Sequence, residues 1–138
     1  MSFVLDSSVA LSWCFKDEQT PGSLQALNAA RTRAIFVPSF WHVEISNVLG
    51  IAARRGRLDQ ADLAIAVRTL ASLEIHTDLP LHPIGPAALL PLMQLYELTA
   101  YDATYLELAM RLNLPLATLD LKLLSAARQA GVSLLGST

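Results

Sequence analysis

Four acidic residues of this chain stand where acids are costly: Asp6, Glu44, Asp102 and Asp120. Asp6 directly follows the apolar run Phe3-Val4-Leu5, and Asp120 directly follows Pro115-Leu116-Ala117-Thr118-Leu119. Both runs read as buried strands, so both acids fall at the carboxyl edge of a sheet, where open α/β folds place their sites. Glu44 and Asp102 fall inside helices. At about 100° per residue, Glu44 lies among Trp41, Val48 and Ile51, and Asp102 among Tyr105, Leu106 and Ala109. Both are therefore expected on apolar faces that point into the core, where unpaired acids are rare.

Each acid also has a plainer role open to it. Asp6 and Asp120 can cap the helices that follow them, Asp102 follows Thr99 at capping-box spacing, and Glu44 suits the helix dipole. Caps, however, belong at helix ends near solvent, and few basic residues lie near these four in sequence. Four converging carboxylates would repel, and some would be forced to protonate. A hard divalent cation resolves this. Oxygen-only donors suit Mg²⁺ or Mn²⁺, and no Cys or His set points to a softer metal. Such an ion keeps several waters, one of which can be activated while the ion neutralises phosphoryl charge. The chemistry implied is hydrolysis of a phosphate ester.

The elements that must position these acids alternate between short strands and helices. Strands are expected at 3–5, 34–37, 74–77, 115–119 and 132–135. Helices are expected at 7–15, 23–31, about 40–55, 59–72, near 85–96, 100–112 and 121–130, with a polar loop over 17–22. Ser39 reads as the N-cap of the long helix, Gly56 as the residue closing it, and Asp59 with Asp62 as the start of the next. This order implies βαβ units and a mainly parallel sheet. The strands are apolar throughout, as expected when helices cover both faces, giving an α/β/α sandwich. No repeat or linker is visible, so residues 1–138 are expected to form one domain.

Composition narrows the class further. The 138 residues are 53 % hydrophobic and only 16 % charged, with a formal net charge of −2 and a mean hydropathy of +0.42. An obvious electrostatic nucleic-acid binder would be basic, so any such role must rest on a site rather than on overall charge. A chain this apolar is expected to cover part of its surface with a partner. The lone cysteine, Cys14, allows no internal disulfide and suits a cytoplasmic protein. The start of the chain lacks a basic, apolar leader. Leu79 to Tyr96 carries no Asp, Glu, Lys or Arg, but four prolines break it, and it reads as a loop leading into a buried helix.

Taken in order, Val4-Leu5-Asp6-Ser7-Ser8, Glu44-Ile45-Ser46-Asn47-Val48-Leu49, Tyr101-Asp102-Ala103-Thr104-Tyr105-Leu106-Glu107-Leu108-Ala109 and Thr118-Leu119-Asp120 resemble the PIN domain across nearly the whole chain. Within that family they are most similar to VapC-type toxins of toxin–antitoxin pairs. The resemblance implies a sheet of about five parallel strands and a Mg²⁺- or Mn²⁺-dependent endoribonuclease. It also implies an RNA substrate, a VapB-type antitoxin whose tail blocks the site, and a homodimer. It matches Asp6 and Asp102 to direct metal ligands, and Glu44 and Asp120 to positions holding metal-bound water or a second ion. Ser8 and Thr118 match hydroxylic positions beside the metal, and Asn47 matches a polar residue near the site.

Other residues divide between two roles. Arg54, Arg55 and Arg57 are either helix-end charges or contacts to RNA or an antitoxin. Trp13, Phe40 and Trp41 either pack or stack a base. His42, His76 and His82 lack ligand spacing, and Glu107 and Arg111 make a solvated pair four residues apart. The apolar helix pair from 41 to 72 is the candidate groove for an antitoxin helix. A phosphatase with an Asp nucleophile fits poorly, because Ser8 stands where a second Asp is expected. A phospho-acceptor receiver fits poorly too, lacking the paired acids and the late lysine. A PIN-like binding module without catalysis is the remaining alternative.

Overall fold

The structure, a computed structural model, describes residues 1–135. Four short strands, β1 (Phe3–Leu5), β2 (Ile35–Val37), β3 (Ile75–Thr77) and β4 (Leu116–Ala117), form one sheet in the order β3-β2-β1-β4. Every pairing is parallel, with Val4 opposite both Phe36 and Leu116. Parallel strands need long crossovers, and two α-helices lie in each of the three connections. All three side chains of β1 are fully buried, so the sheet is covered on both faces there. The edge strand β3 is only partly buried.

Strand order fixes where a site can lie. From β1 the chain crosses to β2 on one side, whereas β4 pairs with β1 on the other. The carboxyl ends of β1 and β4 therefore flank the switch point of the sheet, the position at which open α/β folds form a crevice. Asp6 leaves β1 at that point. Thr118 and Asp120 leave β4 there.

Helix α1 (Ser7–Cys14) follows Asp6 immediately. Helix α2 (Pro21–Ala30) begins earlier than expected. Pro21 and Gly22 belong to its first turn, because Thr20 caps it reciprocally with Ser23 and proline is preorganised at a helix start. Residues Lys16–Glu18 form a 3₁₀ turn before it. Helix α3 (Phe40–Arg54) starts after Ser39, yet Ser39 is itself helical and its side chain makes no cap bond. Pro38 accepts the Trp41 amide instead, so the helix starts on backbone geometry. Gly56 closes it at φ 76°, as expected. Helix α4 (Gln60–Ala71) is capped by Asp59, which accepts the Asp62 amide at 2.7 Å.

Three further expectations need correction. Helix α5 (Pro86–Tyr96) has no fully buried residue: Leu89, Leu92, Met93 and Tyr96 are half-covered, and Leu90 and Leu95 are exposed. The expected fifth strand over 132–135 reduces to one parallel bridge, Leu116 to Leu134. With β4 only two residues long, there is no more edge for it to extend along. On helix α6 (Ala100–Leu112) the Glu107–Arg111 pair is not simply solvated. Arg111 also grips Asp78 at 2.6 Å, and both carboxylates are largely covered, so the guanidinium ties α6 to the end of β3. Helix α7 (Leu121–Gln129) completes the fold and packs Leu123, Ala126 and Ala127 inward.

Candidate active site

Asp6 sits at the carboxyl end of β1, at the switch point of the sheet. It stands at the N-cap position of α1 but makes no cap bond, so the capping role does not explain it. Its Oδ2 accepts the Thr118 hydroxyl at 2.6 Å and the Ser8 hydroxyl at 2.8 Å. The Ser7 hydroxyl lies 3.5 Å from Oδ1. Ser8 in turn accepts the Leu119 amide at 3.1 Å, and Thr118 accepts the Asp120 amide at 3.1 Å. Two hydroxyls thus lock one carboxylate oxygen and stitch the end of β1 to the end of β4. Asp6 is 5 % exposed. Burial pushes its pKa up, the Thr118 and Ser8 hydroxyls oppose that, and the neighbouring Asp120 carboxylate raises it further.

The remaining acids close around it. Asp120 caps α7, accepting the Leu123 amide at 2.9 Å, so its cap role is real and does not remove it from the site. Glu44 and Asp102 are half-buried rather than directed into the core. Each lies in the first or second turn of its helix, near the end from which the helix enters the fold. The Asp102 amide bonds the Thr99 hydroxyl at 3.2 Å. The Asp102 carboxyl is pushed up to about 6, first by desolvation and then by Asp120, Asp6 and Glu44. Glu44 is raised by desolvation, against the hydrogen bond from Tyr105, with Asp6 adding repulsion. Asp6, Glu44, Asp102 and Asp120 therefore share one electrostatic neighbourhood of like charge. Asn47 lies one turn beyond Glu44, exposed, and bonds none of them.

Two residues join the site that the sequence reading passed over. Tyr105 is 1 % exposed; its hydroxyl donates to Glu44 Oε1 at 2.9 Å and accepts the Ser7 amide at 3.4 Å. Ser7 lies between Asp6 and Tyr105. The available signal was a phenol three residues after Asp102 in an otherwise apolar stripe, since a buried hydroxyl requires a partner.

The donor set is chemically suited to a hard cation: carboxylates and hydroxyls, without sulfur or imidazole. Among the described residues, no three His, Cys, Asp or Glu side chains converge closely enough to share one ion as they stand. That spacing still fits Mg²⁺, which is commonly held by one or two carboxylates and otherwise by water and substrate oxygens.

The model of the PIN domain matches residues 3–129, from β1 to the end of α7. The chain belongs to the PIN-domain family. PIN domains are generally nucleases that use divalent metal ions. No curated protein matches the chain. A solved structure, that of PAE2754 from Pyrobaculum aerophilum, is similar in fold: TM-score 0.64 at 24 % identity, over 91 % of this chain and 79 % of that one. Membership accounts for the crevice at the β1–β4 switch point, and it favours a nuclease over the phosphatase and receiver readings.

The structure also settles several of the divided residues. Trp13 and Trp41 are buried in the core; the Trp13 indole donates to the Ser23 carbonyl at 2.6 Å. Phe40 meets the rings of Tyr101 and Tyr105 edge-on. Arg57 is engaged within the chain, bonding Asp17 and Glu18 and lying 4.0 Å over the Phe15 ring. His42 bonds Thr77 at 2.8 Å, and His76 bonds Glu74 at 2.8 Å. Among the described residues, no helix is long and apolar enough to cross a membrane.

Proposed function

We propose that this chain is a Mg²⁺- or Mn²⁺-dependent endoribonuclease of the VapC type, the toxin of a toxin–antitoxin pair. The observation that carries the nuclease reading is the placing of acids at the sheet's switch point: Asp6 buried and held by Thr118 and Ser8 at the end of β1, Asp120 at the end of β4, and Glu44 tied in through Tyr105. Uncompensated, such a cluster costs stability, and a cation-dependent site is the usual reason for one. Asp6 and Asp102 would hold the ion directly, with Glu44 and Asp120 orienting its waters. A divalent cation there supplies charge neutralisation for the phosphate and a water of lowered pKa. Ser8 and Thr118 keep the Asp6 carboxylate in one orientation, and Asn47 is the polar residue beside the site.

The antitoxin reading is supported by a second feature. A groove of about 570 Å³ runs between α3 and α4, lined by Trp41, Ile45, Leu49, Leu63, Val67 and Leu70 among others. Of α4, only Ala66 is fully buried; Leu63 and Leu70 pack partly against the core and leave the rest of their surface in the groove. An amphipathic helix of a VapB-type protein would cover the apolar walls. A homodimer follows from the same family reading and from the exposed leucines of α5. A single domain over 1–138 and a cytoplasmic location complete it.

The test is cleavage of total RNA by the purified chain with Mg²⁺ or Mn²⁺, with EDTA, and beside Asp6→Ala. Cleavage that requires the metal and is lost in the variant is the expected result. No cleavage of any RNA class by folded, partner-free protein would favour a binding module instead.

A further inference from the structure

The Tyr105 hydroxyl links the helix that carries Glu44 to the Ser7 end of α1, beside Asp6. It donates to Glu44 Oε1 at 2.9 Å and accepts the Ser7 amide at 3.4 Å, while Ser7 Oγ stands 3.5 Å from Asp6 Oδ1. The ring is fixed: it is 1 % exposed and meets Phe40 edge-on at 5.5 Å between centroids. Phenylalanine would fill the same space without burying a hydroxyl, so packing alone does not explain tyrosine here.

Glu44 needs such a donor. It is half-buried, and holding a glutamate in one rotamer costs conformational freedom. We infer that Tyr105 is a positioning residue: its hydroxyl holds the Glu44 carboxylate against the Ser7 end of α1, so that Glu44 and Asp6 face the same cation. Tyr105 touches neither ion nor RNA and acts only through Glu44. The inference rests on the metal-dependent reading above.

The test is Tyr105→Phe in the full chain, with Mn²⁺ binding measured by calorimetry alongside RNA cleavage. Partners of this kind typically change metal affinity by about 10–100-fold. The expected result is Mn²⁺ affinity lower by about 10-fold, a reduced kcat and an unchanged KM for RNA. In a Glu44→Gln background, Tyr105→Phe is expected to add nothing further to the loss. Wild-type Mn²⁺ affinity in Tyr105→Phe, or losses that simply add in the double variant, would overturn the inference. If Tyr105→Phe does not fold, Glu44→Asp withdraws the carboxylate from the phenol by one methylene and should reproduce the loss; undiminished Mn²⁺ affinity there overturns the inference equally. Asp6→Ala separates the two levels. Should it bind Mn²⁺ like the wild type, the cation reading fails and takes the inference with it. Loss in Asp6→Ala with none in Tyr105→Phe would sink the Tyr105 role alone.

Discussion

Thr118 and Asp6, 112 residues apart in the chain, are joined by a buried hydrogen bond of 2.6 Å from the Thr118 hydroxyl to Asp6 Oδ2. The bond exists because β4 lies beside β1, and it fixes one oxygen of the central carboxylate. Thr118→Val keeps the shape and removes the donor. It leaves Asp6 Oδ2 with Ser8 as its one remaining hydroxyl donor and strands the Asp120 amide. We expect a loss of about 1–3 kcal/mol in stability, read by urea unfolding, with cleavage reduced about 10-fold. Thr118→Ser should restore most of both.

Asp102→Asn separates stability from activity. Removing its charge relieves repulsion from Asp120, Asp6 and Glu44. In EDTA the variant should therefore melt at or above the wild-type temperature. Cleavage with Mn²⁺ should fall by at least about 100-fold, since a direct ligand is lost. A variant that melts lower in EDTA would mean that Asp102 makes a structural contact outweighing the repulsion.

The metal-free protein should lose stability as pH rises. Asp6, Glu44 and Asp102 all have raised folded-state pKa values. Between the unfolded value of 3.8 and the folded value of about 6 for Asp102, the folded state binds more protons. Stability therefore falls with pH across that window. Because Asp102 is half-exposed, its share is discounted to about 1 kcal/mol. Melting in EDTA should be a few degrees higher at pH 5 than at pH 7.5. Saturating Mn²⁺ should cancel or reverse the difference, because the ion binds the ionised form.

Gly50 offers a test of the groove. It lies inside α3 on the groove wall, and a Cβ added there meets nothing within 4 Å. Gly50→Leu should raise helix stability by about 0.5–1 kcal/mol. It should also fill the groove. The expected outcome is a higher melting temperature, unchanged metal-dependent cleavage, and loss of inhibition by a VapB-type antitoxin. Undiminished inhibition would place the antitoxin elsewhere.

The sequence by itself located the elements and most of the acids, because those signals are local. An acid directly after an apolar run marks a strand end wherever that strand pairs, and Asp59 and Gly56 act through neighbours in sequence. The Asp6 and Asp120 positions were legible for this reason, as were Ser8 and Thr118 through the resemblance.

Only the tertiary structure decided what depends on which elements meet. The strand order β3-β2-β1-β4 puts Asp6 beside Thr118 and Asp120. Helical projection placed Glu44 and Asp102 on apolar faces, but an apolar face can open onto a crevice, and both came out half-exposed. Tyr105 looked apolar until Glu44 arrived from a helix 61 residues earlier to accept its hydroxyl. Arg111 looked solvated until Asp78 closed on it, and the fifth strand shrank to one bridge because β4 offered only two residues of edge. Periodicity reports which face of an element is apolar. What that face meets is set by chain crossovers whose partners lie tens of residues away, and short-range pattern carries no record of them.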